Sequence, residues 1–197
     1  MKLTVAGLGY VGMANAVLLA RHHDVTAYDI SAERVRTVRE GRSPIVDEDI
    51  EARLAQPGLR LTATDDPAVA FTGAELVVVA TPTNYDTETH YFDTSSVEAV
   101  IDEVLELAPE AIIVVKSTIP VGFTQRMRAT HPGARILFSP EFLREGHALH
   151  DNLHPSRIIV SDPGPDAELF ARLLAEGAED PDPPVMLTGS TEAEAIK

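Results

Sequence analysis

Short apolar runs recur along the chain, and between most of them the apolar residues return every three or four positions. The runs suited to buried strands are KLTVAGL (2–8), DVTAYDI (24–30), RLTAT (60–64), ELVVVAT (75–81), AIIVVKS (111–117), ARILFS (134–139), SRIIVS (156–161) and PVMLTG (184–189). Helical spacing marks 11–22, 32–40, 95–107 and 166–176. In the first of these, Val11, Ala14 and Leu18 share one face; in the third, Val97, Val100, Ile101 and Val104 do. Strands alternating with helices predict an α/β fold with a doubly wound, mainly parallel sheet covered on both faces. Runs such as ELVVVA and AIIVV suit strands buried on both sides. The charged segment 47–55 reads as an amphipathic helix with a solvated face. EDPDPP (179–184) reads as a tight connection into the last strand. In STEAEAIK (190–197), Ser190 or Thr191 predicts a helix N-cap, with Glu192 and Glu194 favouring the positive end of the dipole.

Composition narrows the class. The 197 residues are 44% hydrophobic but only 5% aromatic, so the core must be mainly Val, Leu, Ile and Ala. No apolar run reaches the roughly 18 residues of a membrane-spanning helix, and the N-terminus lacks the pattern of a signal peptide. These features predict a cytoplasmic location and no membrane partner. The net charge of −15 argues against broad binding to nucleic acid. An anionic ligand would need a local site of backbone N–H groups and a few placed cations. There is no cysteine, which excludes disulfides and thiolate metal sites.

The first strand runs into GLGYVG, which places Gly7, Gly9 and Gly12 in the GxGxxG spacing. Gly7 would permit the tight turn, Gly9 would let a pyrophosphate approach the backbone, and Gly12 would let the helix pack against the strand. The helix start then offers N–H groups and positive dipole to phosphates. The second strand ends on Asp29, close to the spacing at which an acid binds ribose hydroxyls. Such an acid repels a 2′-phosphate, so NAD is favoured over NADP. Arg34, a nearby cation, pulls the other way. Asp29 can also be read as a turn residue before SAERV.

Ligands in open parallel sheets sit at the carboxyl ends of strands. There the chain offers Thr81, Pro82, Thr83 and Asn84 after one strand, Ser117 and Thr118 after the next, and Glu141 and Glu145 after a third. Capping chemistry explains the hydroxyls. It explains Glu141 and Glu145 poorly, because carboxylates four apart on a helical turn repel, and a carboxylate in such a cleft can act as a general base. His147, His150 and His154 do not form a recognisable ligand set, and Asn152 and Pro155 argue against a helix there, so no metal is expected.

Together, GLGYVG, ATPTNYD, YFDTSSVEAVI, KSTIPVGFT, SPEFLREG, DNLHPSRIIV and STEAEAIK resemble the UDP-glucose/GDP-mannose dehydrogenase family. SPEFLREG and TNYD…YFDTSSVE are the specific segments, and the second points to the UDP-glucose branch. The resemblance implies oxidation of a UDP-sugar's primary alcohol to a carboxylate with two NAD, through a cysteine-bound intermediate. It implies catalytic roles for four residues. Thr118 would hold a water, Glu145 would be the base for thioester hydrolysis, Lys197 would stabilise an oxyanion, and Glu141 would act beside them. The NAD site would comprise Gly7, Gly9, Tyr10, Val11, Gly12, Asp29, Arg34, Thr81, Pro82, Thr83, Ser117, Thr118 and Glu145. Glu141, Phe142, Leu143, Glu145, His150 and Lys197 would contact the sugar nucleotide. His150 stands where Tyr is common in the family, which puts that one contact in question.

By the same resemblance, residues 1–189 are a Rossmann-type NAD-binding domain, and 190–197 open a central helix. That helix would join it to a substrate domain and mediate a homodimer. The nucleophilic cysteine and the uridine-binding half are not in these 197 residues. The chain alone is therefore expected to form no glucuronate, and Lys197 is expected at a frayed end. An NAD-binding sensor module is the alternative, as is a GDP-mannose or UDP-N-acetylmannosamine relative.

Overall fold

The computed structural model describes residues 1–87 and 91–197. In chain order the first half comprises β1 (Lys2–Ala6), α1 (Tyr10–Ala20), β2 (Asp24–Tyr28), α2 (Ala32–Arg39), α3 (Glu48–Leu54), β3 (Leu61–Thr64), α4 (Pro67–Phe71) and β4 (Leu76–Val79). A small hairpin follows, β5 (Asn84–Asp86) and β6 (Tyr91–Asp93). Then come α5 (Ser95–Leu107), β7 (Ile112–Val115), α6 (Phe123–Thr130), β8 (Arg135–Phe138) and α7 (Ala148–Leu153). The chain closes with β9 (Ile158–Ser161), α8 (Pro165–Gly177), β10 (Val185–Thr188) and α9 (Ser190–Ile196).

Side chains on the central strands alternate between two cores, as a pleat of period two requires. Leu3, Val5, Leu76, Val78, Ile112 and Val114 face α1, α2, α3, α7 and α8. Ala6, Val77, Val79, Ile113 and Val115 face α4, α5, α6 and α9. This two-sided burial is why those strands read as unbroken apolar runs. The main sheet is parallel throughout, in the order β3-β2-β1-β4-β7-β8. The direction of winding reverses between β1 and β4, which opens a crevice at their carboxyl ends. No helix among the described residues is long and apolar enough to cross a membrane.

Several expectations need correction. β9 and β10 do not extend the main ladder; they form a separate parallel pair. Side-chain hydroxyls join that pair to β8. The Phe138 N–H donates to Ser161 Oγ at 2.8 Å, and Ser139 Oγ donates to the Ile159 carbonyl at 2.8 Å. Residues 84–86, read as part of a strand-end loop, form β5 of the hairpin. Helix α7 forms despite Asn152, because Pro155 falls just after its end and removes no helical N–H. Glu141 and Glu145 lie on an irregular loop, not a helical turn. The N-cap of α9 is Gly189, with no side-chain cap bond.

Candidate functional site

The site starts at the glycine loop. Gly7 has φ +95°, and a Cβ there would sit 2.5 Å from the Ala80 carbonyl oxygen. At Gly12 a Cβ would sit 1.6 Å from the Gly7 carbonyl oxygen, so the helix packs backbone to backbone on the turn. Around Gly9 nothing lies within 4 Å of a built Cβ. The third glycine closes the packing and the second leaves an open face. Helix α1 begins at Gly9 without a side-chain cap, so its first N–H groups remain for a ligand.

Asp29 is buried and bonded three ways. One oxygen accepts from the Leu8 N–H at 2.8 Å and from Arg34 Nη1 at 3.3 Å; the other accepts from the Ser31 N–H at 2.8 Å. Asp29 therefore closes a turn, as one reading expected, and also places a carboxylate just past the end of β2. Arg34 is paired to that carboxylate, which sets its cation against the acid.

Across the switch point the loops after β4 and β7 are tied together. Ser117 Oγ donates to the Thr81 carbonyl at 2.7 Å, and Ser96 Oγ donates to the Pro82 carbonyl at 2.7 Å. The cleft so formed has a volume of about 350 Å³. It is lined by Gly7, Gly9, Tyr10, Val11, Arg34, Thr81, Pro82, Thr83, Ser117, Thr118, Glu141, Leu143 and Glu145, together with Leu8, Ala80 and Lys116. Of the residues expected at the site, Gly12 and Asp29 support this wall from behind. Phe142 turns away into an adjoining cavity of about 250 Å³. His150 lines neither cavity; its ring meets that of His154 at a tilt of 48°, with the centroids 4.9 Å apart. Among the described residues no group of three or more His, Cys, Asp or Glu side chains is placed to hold a metal ion.

Glu141, Leu143 and Lys116 line both cavities. One Glu141 oxygen accepts from the Leu143 N–H at 2.7 Å, and the other pairs with Lys197 Nζ. Lys197 also donates to the Glu141 carbonyl at 3.0 Å. Lys197 is thus tied to the site, contrary to a frayed end. The loop that carries Glu141 is held further along as well. Arg144 pairs with Asp151, and buried Asp47 accepts from the Ala148 N–H at 2.7 Å while also capping α3 through Ile50. The segment 47–55 therefore gives more than a solvated face.

Lys116 is the residue that sequence reasoning missed. It is buried, and its ammonium donates to Ser139 Oγ at 3.2 Å and to the Ser139 carbonyl at 3.3 Å. Burial pulls its pKa from 10.5 down to about 8, against the opposing pull of Glu141, and Lys197 lowers it further. A signal was present. Lys116 continues the face of Ile112 and Val114, so the pleat points a cation into the core.

The geometry fits a dinucleotide: an open glycine, an uncapped helix start, an acid at the end of β2 and a cleft running on past β4 and β7. Comparison with known proteins agrees. The family model described as "UDP-glucose/GDP-mannose dehydrogenase family, NAD binding domain" matches residues 1–175. A UDP-glucose 6-dehydrogenase of Streptococcus pneumoniae is 46% identical over 203 residues, covering 100% of this chain and 52% of that protein. One of Campylobacter jejuni is 36% identical, covering 100% of this chain and 51% of that protein. The structure of a UDP-glucose dehydrogenase from Pyrobaculum islandicum superposes with a TM-score of 0.86 at 30% identity, over 99% of this chain and 48% of that one. The chain spans about half the length of the curated relatives it matches. It belongs to the UDP-glucose/GDP-mannose dehydrogenase family and carries that family's NAD-binding domain.

Proposed function

We propose that this chain is the cofactor half of an enzyme that oxidises UDP-glucose to UDP-glucuronate with two NAD. Bound NAD would supply the hydride acceptor. Gly9, Tyr10 and Val11 would hold its pyrophosphate, and Asp29 a ribose. Arg34 would have to yield part of its contact with Asp29 as the ribose enters. Thr81, Pro82, Thr83, Ser117 and Thr118 would line the nicotinamide end, with Glu145 exposed at the mouth. Glu141, Leu143, Phe142 and Lys197 would meet the sugar nucleotide. Lys197 would place positive charge near a developing oxyanion, and Glu145 would serve as the general base. The covalent route needs a thiol, and this chain has no cysteine. The thiol and the uridine contacts would come from a region outside these residues, which α9 would join as the start of a central helix. That helix would also carry dimer contacts.

The observation that carries this reading is Glu141, shared by both cavities and paired with Lys197 beside the cofactor cleft. The test is calorimetric titration with NAD and NADP. NAD should bind more tightly, and Asp29→Ala should weaken it by about 1.5–3 kcal/mol, the scale of hydrogen bonds to a charged group. Equal or reversed affinities for the two cofactors would remove Asp29 from the ribose site.

A further inference from the structure

We propose that Glu194 is a positioning residue for the nicotinamide end of the cleft: its buried carboxylate caps α6 and thereby fixes the loop that carries Thr118. Helix α6 has no side-chain cap of its own, because its N-cap is Gly122, with φ +92°. The cap comes instead from a residue far along the chain. One Glu194 oxygen accepts from the Gly122 N–H at 2.6 Å, and the other accepts from the Thr124 N–H at 2.8 Å. Glu194 is 4% exposed and Thr124 is fully buried. Without the carboxylate the Thr124 N–H would have no water to turn to, and a buried unpaired donor is costly. The carboxylate also sits where the positive end of the α6 dipole favours it.

The consequence for the cleft follows from where the loop is fixed. Residues 117–122 are pinned at one end by Ser117 on the Thr81 carbonyl and at the other by Gly122 on Glu194. Thr118 lies between, on the cleft wall, beside buried Ile119. Glu194 lies in the last turn of α9, and Lys197 follows directly after its last residue, Ile196. One reaches the Thr118 loop and the other reaches Glu141. The C-terminal end of α9 therefore sets both loops that frame the far end of the cleft. The main packing of α9 is against α6, β8 and β9, not against β1, α1 or β2, which carry the glycine loop and Asp29. Loss of the cap should weaken only ligands that reach past the pyrophosphate.

This inference rests on NAD occupying the cleft as proposed above, and the experiment separates the two. NAD and ADP are titrated against the wild-type chain, Glu194→Gln and Glu194→Ala. ADP fills only the glycine-loop and Asp29 end. Glu194→Gln keeps the volume and one acceptor oxygen, so it carries the test if Glu194→Ala unfolds. The expected result is NAD binding weakened about tenfold, as for loss of a charge-assisted hydrogen bond, with ADP affinity unchanged. Faster hydrogen exchange at the Gly122 and Thr124 amides should accompany it. Equal weakening of both ligands would mean general destabilisation and overturn the assignment, as would unchanged binding of both. If the wild-type chain binds neither ligand, the cofactor reading fails. The two amides then decide the cap: unchanged exchange in Glu194→Gln would overturn it.

Discussion

At the Asp29 end of the cleft, the bonds that set the wall join neighbours in the first βαβ unit: Gly7 to Tyr28, Leu8 to Asp29, Met13 to Gly9, Ser31 to Asp29. At the Thr118 end, the wall is set by Ser117 on Thr81, Lys116 on Ser139, Gly122 on Glu194 and Glu141 on Lys197. These partners come from three different loops and a terminal helix, and most of the bonds are made by side chains. The first end is mainly backbone packed on backbone. The second is a set of buried or half-buried charges that hold loops in place. Damage should therefore take different forms at the two ends: steric and all-or-none at the first, electrostatic and graded at the second.

The largest effect should come from Gly12→Ala. The new methyl would meet the Gly7 carbonyl at 1.6 Å, and neither backbone can withdraw without opening α1 from β1. We expect a loss of about 3 kcal/mol or more, at the upper end for overpacking, read as a lower urea midpoint, together with loss of NAD binding. Gly9→Ala sharpens the contrast, because nothing lies within 4 Å of its Cβ. It should leave the urea midpoint unchanged and weaken NAD alone. A Gly12→Ala chain of wild-type stability would show that the glycine end is no more rigid than the other.

The same contrast governs what the sequence discloses. Gly7, Gly9, Gly12 and Asp29 are legible because their spacing along the chain is itself the geometry. The alternation of strands and helices is legible because the main sheet buries both faces of its strands. Glu194 is not. Its sequence position suggests a partner for its own helix dipole, whereas its carboxylate crosses to α6, 70 and 72 residues away. Asp47 looks like one acid in a solvated run, yet it is 3% exposed and caps two helices. Such long-range choices depend on which loops the sheet order brings together, and no local period records that order. Lys116 falls between the two cases, since its place on the core face of β7 is visible and its partner Ser139 is not.

Lys116→Met tests the graded end. In the folded chain its pKa is about 8, below the 10.5 of an exposed lysine. Below pH 8 the folded chain must keep a buried ammonium, a cost of about 3 kcal/mol by linkage. Between about pH 8 and 10.5 the unfolded chain binds more protons than the folded one, so this group makes stability rise with pH. The methionine variant loses the bonds to Ser139, worth about 1 kcal/mol each, and also loses the penalty. At pH 7 it should be more stable than wild type by about 1–2 kcal/mol, and the advantage should vanish by about pH 10. Urea midpoints at both pH values check this. A difference between the two chains that does not change with pH would mean that Lys116 is not desolvated.

The smallest effect concerns Lys197 and Glu141. Their pair is partly solvated, with side-chain exposures of 22% and 13%, and α9 is separately anchored by Glu194. Lys197→Met should therefore cost less than about 1 kcal/mol of stability, the range for such pairs. Its informative consequence lies on Lys116. Lys197 lowers the Lys116 pKa, and Glu141 raises it. Lys197→Met should move the titration of the Lys116 side chain upward, and Glu141→Gln should move it downward. Both can be followed by NMR on the lysine ε-methylene. Shifts in opposite directions from two substitutions at one salt bridge would show three charges sharing one field across the wall between the cavities. If both variants moved Lys116 the same way, the cause would be a rearranged Ser139–Glu141 loop. The far end of the cleft would then be held by shape, as the glycine end is.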